Sequence, residues 1–256
     1  MEAALKQTRH PKQCLNLTTA HNARDLSGYQ TADGFITSDR FLRSDCFMPL
    51  SDNDAKTLWG LGVRTVIDLR NQDEYEKVPS GLSEYEHVTY VCLPLYSEET
   101  KRSLDFDKLP PDFNLGALYI DMLDTHQDSI RRFFAQAAQA REGKILFHCS
   151  AGKDRTGLLA ALLLKLCGVS DNDVIQDYAL TEVFLAQMLP ILKENAGMPA
   201  QLDKLVDDML GSDPVHMERL LKHLNAKYNG AQGYLEFIGV SHDDIESLKN
   251  CMIERI

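Results

Sequence analysis

Residues 158–167, LLAALLLKLC, carry one charge in ten positions. A helix that is apolar on nearly every side cannot lie on a surface, so this segment must be packed around most of its circumference. Just upstream, Lys144–His148 (KILFH) is a short apolar run that reads as a buried strand. A nine-residue loop, Cys149 to Gly157, joins them. A buried strand feeding a buried helix calls for a sheet with helices laid against it.

The rest of the chain agrees. Val63–Leu69 (VRTVIDL) and His87–Leu95 (HVTYVCLPL) read as strands, and Asp33-Gly34 as a turn before a short extended piece. Residues 116–124 and 128–141 read as helices, the second with Ile130, Phe133, Phe134 and Ala137 on one face. Ser51 with Asp54, Ser170 with Asp173 and Ser241 with Asp244 have helix-start spacing. The expected fold class is α/β: a central, mostly parallel sheet flanked by helices, with a helical C-terminal cover. One domain over residues 1–256 is expected, with a helical insertion or a lid at about 181–230. Phe184, Met188 and Leu192 lie on an amphipathic helix there, which reads either as core or as lid.

Composition narrows the function. The chain has 256 residues, of which 44% are hydrophobic and 25% charged, an ordinary globular balance. The net charge of −11 argues against a broad nucleic-acid surface, so no nucleic-acid partner is expected. An anionic ligand would need local cations against that field. The six cysteines form no C-x-x-C, and no paired Cys/His or H-E-x-x-H spacing occurs. Free thiols and neither metal nor cofactor are therefore expected. No run of eighteen apolar residues suggests stable membrane insertion, and the start MEAALKQTRH has no signal core. A cytoplasmic location is expected, with export left open.

The strand-to-helix loop is where the chemistry concentrates. Unpaired backbone N–H groups converge at a helix N-terminus, and the dipole there favours anions. It is not the NTPase phosphate loop, because Gly152-Lys153 is followed by Asp154 rather than Ser or Thr. Cys149 stands at its mouth and Arg155 six residues on. A thiolate is the reactive form of cysteine, and cations and helix N-termini favour it. An arginine fork can hold two phosphate oxygens at once. At that spacing Cys14, Cys46, Cys92 and Cys167 are followed by Ala20, Asp52, Glu98 and Asp173 instead. Expulsion of a phenolate or an alkoxide also calls for a proton donor. Two carboxyl groups are candidates, Asp154 inside the loop and Asp68 at the carboxyl end of a strand. Each also has a plain structural use, Asp154 as a helix cap and Asp68 as an ion-pair partner of Arg70.

His148-Cys149-Ser150-Ala151-Gly152-Lys153-Asp154-Arg155-Thr156-Gly157 resembles the H-C-x5-R-[ST] signature of the cysteine-dependent protein tyrosine phosphatases. Its Lys-Asp-Arg-Thr ending resembles the bacterial branch that includes the secreted mycobacterial and listerial enzymes. Asn22-Ala23-Arg24-Asp25-Leu26 is similar to that branch's N-F-R-D motif, with Ala23 in place of Phe. Arg40–Asp45 (RFLRSD) resembles its R-L-F-R-S segment, and Leu61–Arg70 its L-G-I-x-x-V-x-D-L-R stretch. Tyr228–Leu235 resembles Y-G-S-x-x-G-Y-L but departs from it at Asn229 and Gly230. The resemblance implies a phosphatase acting on phosphotyrosine, with phosphoserine/threonine and phosphoinositides as further substrates in some members.

The roles implied are Cys149 as nucleophile, Arg155 as the phosphate clamp, and Asp154 or Asp68 as acid. Ser150, Ala151, Gly152 and Lys153 supply binding groups, and the Thr156 hydroxyl serves the sulfur. Lys153 adds a cation. Arg24, Arg40, Arg43 and Arg70 either touch substrate or hold the N-terminal segment. The expected partner is a phosphorylated protein or a phosphoinositide. The rival readings are a phosphoinositide phosphatase, a phosphate-binding module without turnover, and a redox protein in which Cys46 or Cys92 approaches Cys149.

Overall fold

The computed structural model describes residues 14–37, 39–96, 114–188 and 211–255. Its main sheet holds β1 (Arg24–Asp25), β3 (Phe41–Ser44), β6 (Lys144–His148), β4 (Val63–Asp68) and β5 (Thr89–Cys92), in that spatial order. Strands β3, β6, β4 and β5 are parallel, and β1 is antiparallel to β3. The expected sheet is therefore present, with KILFH at its centre.

Parallel strands covered on both faces read as continuous apolar runs. In β6, Ile145 and Phe147 enter one core while Leu146 enters another. The larger core takes Phe41 and Ile67 from the sheet. It is built with α3 (Leu115–Thr125), α4 (Gln127–Gln139), α5 (Asp154–Leu166), α6 (Asp171–Leu185), α7 (Pro214–Tyr228), α8 (Gly230–Phe237) and α9 (His242–Met252). The smaller core takes Leu42 and Val66, covered by Leu58 of α1 (Asp52–Gly60) and by Leu17, Ala20 and Ala23. Helix α5 is the apolar segment foreseen above. Leu158, Leu159 and Leu162–Leu164 are all buried, so Leu→Ala there would cost about 2–5 kcal/mol.

The expected helix starts at Ser51, Ser170 and Ser241 are present, each hydroxyl accepting the backbone N–H three residues on. Strand β5 is shorter than His87–Leu95, though Leu93 and Leu95 still donate to Asp68 and Leu69 carbonyls. Helix α2 (Gln72–Lys77) was not foreseen. Nor was the chain's return to strand after its last helix. Ile253–Arg255 (β7) pairs antiparallel with β2 (Gly34–Ile36), too short to show a two-residue period. A Cβ on Gly34 would lie 2.1 Å from the Glu254 carbonyl oxygen, so only glycine fits that approach.

The N-terminal segment is pinned by two carboxylates. Asp54 accepts from the backbone N–H of Thr18 and Thr19, and Asp45 from those of His21 and Asn22. Of the expected insertion or lid, residues 189–210 lie outside the described residues, Leu192 among them. On its near side the Phe184 ring lies under Arg24, and on its far side α7 packs against α3 and α6. Among the described residues no helix is long and apolar enough to cross a membrane.

Candidate active site

Strand β6 is central, and Ser44 and Asp68 are level with its last residue, His148. The loop that follows therefore leaves from the middle of the sheet's carboxyl edge, the usual ligand position in α/β sheets. Cys149 is buried there.

The loop's carbonyls are taken from behind. Ser150 O accepts from Cys46 N (3.0 Å), and Ala151 O from Asn22 Nδ2 (2.9 Å). Gly152 O accepts from Arg43 Nη2 (2.7 Å) and Asn22 Nδ2 (3.2 Å), and Lys153 O from Gly157 N. Among the described residues, the N–H groups of Ser150, Ala151, Gly152, Asp154 and Arg155 donate to no acceptor. Gly152 has φ 67°, and a Cβ on it would come within 2.5 Å of the Ser44 backbone. Conformation and space both demand glycine.

Arg155 carries the clamp, and its neighbours were not foreseen. Its Nη1 donates to Glu74 Oε2 (2.6 Å) and its Nη2 to Glu74 Oε1 (2.9 Å), while the guanidinium lies 4.7 Å from the centre of the Tyr96 ring. Nη2 also donates to Ser150 Oγ (3.3 Å), so the Nε hydrogen and the second Nη1 hydrogen are the ones without an acceptor among the described residues. Glu74 Oε1 also accepts from Ser150 Oγ (2.9 Å), and Oε2 from Asn71 N (3.0 Å). Burial would raise the Glu74 carboxyl, but Arg155 outweighs it and holds Glu74 below its usual range. Burial likewise opposes the Arg155 charge, yet Cys149 and Glu74 keep it charged. The only signal for Glu74 in the sequence is its place three residues after Asn71, at the start of a six-residue helix.

Asp154 begins α5, with its side chain about one third exposed. Its Oδ1 accepts from Tyr119 Oη (2.5 Å) and lies 3.4 Å from Lys153 Nζ. Lys153 is buried and donates to Gly211 O (3.0 Å), so the cation expected beside the ligand is engaged with the protein's own backbone. Thr156 Oγ1 is buried and, among the described residues, without a hydrogen-bond partner, so the expected bond to the cysteine sulfur is not formed. His148 Nδ1 lies 3.1 Å from the Cys149 carbonyl oxygen, and burial pushes its ring below the usual range.

Asp68 does not fit the acid role. It is buried, gripped by Arg70 Nε and Nη2 (3.0 and 2.8 Å), and accepts from Tyr90 Oη (2.6 Å). Burial would raise its carboxyl, but His148, Arg70 and Tyr90 together bring it down to about 2. It has no proton to give near neutrality. All four motif arginines are engaged within the protein. Arg24 and Arg43 pair with Asp177, Arg40 donates to the carbonyls of Ala137, Ala140 and Gly143, and Arg70 holds Asp68. Burial pushes the Cys46 thiol up to about 12 and raises Cys92 as well, and all six cysteines are free thiols. Among the described residues no cluster of three His, Cys, Asp or Glu side chains could hold a metal ion.

A family model described as "Tyrosine phosphatase family" matches residues 15–254. The chain belongs to the tyrosine phosphatase family. A tyrosine-protein phosphatase of Nostoc commune is 33% identical over 217 residues, which cover 78% of this chain and 69% of that protein. The triple specificity protein phosphatase PtpB of Mycobacterium tuberculosis is 24% identical, over 80% of this chain and 87% of its own length. A solved structure of P. aeruginosa TpbA with phosphotyrosine is 16% identical, over 67% of this chain and 79% of that one, at TM-score 0.35. The chain is thus a protein-tyrosine-phosphatase-like hydrolase, and phosphorylated substrates are its class.

Proposed function

We propose that this tyrosine phosphatase works through a phosphocysteine intermediate at Cys149. The Cys149 sulfur attacks phosphorus, the S–P bond forms and the ester O–P bond breaks. Arg155 and the open amides of Ser150, Ala151, Gly152, Asp154 and Arg155 stabilise the charge on the transferring phosphoryl oxygens. Asp154 gives its proton to the leaving oxygen, and its carboxylate then takes one from the water that releases phosphate. Ser150, Ala151, Gly152, Lys153 and Thr156 complete the site, the first four through the loop and Thr156 through its unpartnered hydroxyl.

The observation that carries this reading is the division of the loop. Its carbonyls are bonded from behind while the N–H groups of Ser150, Ala151, Gly152, Asp154 and Arg155 have no acceptor among the described residues. Phosphorylated proteins are the proposed substrates, phosphotyrosine first. Phosphoserine/threonine is added because the mycobacterial relative is named a triple specificity phosphatase. Phosphoinositides are the alternative. They are disfavoured because Lys153, the cation nearest the loop, already holds the Gly211 carbonyl.

The test is hydrolysis of a phosphotyrosine peptide by the wild type and by Cys149→Ser, with EDTA present, followed by rapid denaturant quenching of the wild type on a radiolabelled substrate. EDTA-resistant turnover and a trapped phosphoenzyme with the acid lability of a sulfur–phosphorus bond, both lost in Cys149→Ser, are expected. Turnover in that variant would overturn the covalent role. A phosphoserine and phosphoinositide panel then ranks substrates.

A further inference from the structure

Two tyrosines in the core have hydroxyls whose use the fold does not explain. Tyr119 on α3 and Tyr178 on α6 are buried, with rings in edge contact at 5.9 Å. Phenylalanine would fill the same space without a polar atom to satisfy. Their hydroxyls lie 2.8 Å apart, and Tyr119 Oη reaches Asp154 Oδ1. We propose that Tyr119 and Tyr178 are positioning residues for the acid–base carboxyl of Asp154. This rests on the reading of Asp154 as the acid.

Proton accounting gives the chain a direction. A carboxylate only accepts, so the single Tyr119 proton goes to Asp154. Tyr178 must then donate to Tyr119, which makes Tyr119 the better donor. Burial first, and the Asp154 charge second, keep the Tyr119 phenol protonated far above its ordinary range, and Tyr178 is raised by the same causes. Both hydroxyls are thus donors at any working pH. Oδ1 is occupied by Tyr119 and approached by Lys153, while Oδ2 has no partner among the described residues. The proton to be transferred is therefore carried on Oδ2, with the carboxyl plane held through Oδ1. The Tyr178 ring also closes over Gly157, where a Cβ would sit 3.3 Å from it, so the pair braces α5 at its first turns.

The other charged and titratable groups near Asp154 are Lys153 beside it, Tyr96 after β5 and His216 in α7, with Asp213 acting on Tyr178 and His216. Removing a hydroxyl leaves all of these in place. Without it the carboxyl loses the bond that fixes its plane, and Oδ2 is presented to the leaving oxygen less often.

The experiment compares kcat/KM and vanadate affinity of the wild type, Tyr119→Phe, Tyr178→Phe and Asp154→Asn. Phenyl phosphate serves as the substrate with a poor leaving group, and p-nitrophenyl phosphate as the one that depends little on the acid. For Tyr119→Phe, kcat/KM on phenyl phosphate should fall by about five-fold or more, with p-nitrophenyl phosphate hydrolysis and vanadate affinity unchanged. Tyr178→Phe should act the same way by less. If both variants keep the wild-type rate on phenyl phosphate while Asp154→Asn loses it, the tyrosine role is overturned and the acid assignment stands. If Asp154→Asn keeps that rate, the acid assignment falls and this inference with it. Should Tyr119→Phe not fold, Tyr178→Phe decides alone, since among the described residues its hydroxyl meets only Tyr119.

Discussion

The two sides of the loop after β6 are built on opposite rules. Behind it, the loop carbonyls and the Asp177 carboxylate are bonded. Asn22 and Arg43 hold the loop carbonyls, Arg24 and Arg43 share Asp177, and Tyr29 also donates to Asp177 at 3.0 Å. In front, the N–H groups of Ser150, Ala151, Gly152, Asp154 and Arg155, the Nε of Arg155 and the second oxygen of Asp154 have no protein partner among the described residues. The difference is physical. Buried carbonyls must be bonded, and bonding them from behind fixes the amides in front without using them. Arg43 shows the strain of that arrangement, since burial and the nearby Arg24 bring its guanidinium down to about 10 despite Asp177.

If the division is right, changes in front should alter turnover at constant stability, and changes behind should alter stability. The largest effect belongs to Cys149→Ser, with roughly 10⁴-fold or greater loss of turnover and an unchanged melting temperature. A parallel loss of stability would blur the two sides. Next is Asp177→Asn, which leaves two buried guanidiniums facing no carboxylate. Denaturant unfolding should show a loss of about 3–5 kcal/mol, and a loss below about 1 kcal/mol would break the comparison. Asp154→Asn should lower kcat on phenyl phosphate by about 10²-fold or more and change p-nitrophenyl phosphate far less.

Asp68→Asn sharpens it from the other carboxylate. The Asp68 carboxyl is depressed to about 2 in the fold against about 3.9 unfolded, so its contribution is present above about pH 4 and lost as pH falls toward about 2. The variant should lose about 2 kcal/mol at pH 7 and show a flatter acid unfolding curve between those values. No such stability difference would mean that Asp68 is not the closed ion pair it looks to be.

Much of the fold was legible along the chain. KILFH, VRTVID, the apolar helix and the three serine caps are local patterns, set by side-chain periodicity and by hydrogen bonds a few residues long. The loop was legible for the same reason, since Gly152, Cys149 and Arg155 lie within one turn of chain. Asp68 was half legible. Arg70 two residues on was visible as a partner, but not the hydroxyl of Tyr90 that completes its closure.

Charge and composition by themselves determined a chain with a nucleophile, a cation and a helix start in one loop, inside an α/β sheet. They held every ingredient of the site but not which acid meets which cation. Glu74 reaches Arg155 across 81 positions, Tyr119 reaches Asp154 across 35, and Arg43 reaches Gly152 across 109. Such pairings depend on which strand ends and helix starts the sheet brings level. A carboxylate's role follows from what surrounds it after folding, so Asp68 and Asp154, alike in sequence, part company only in the tertiary structure.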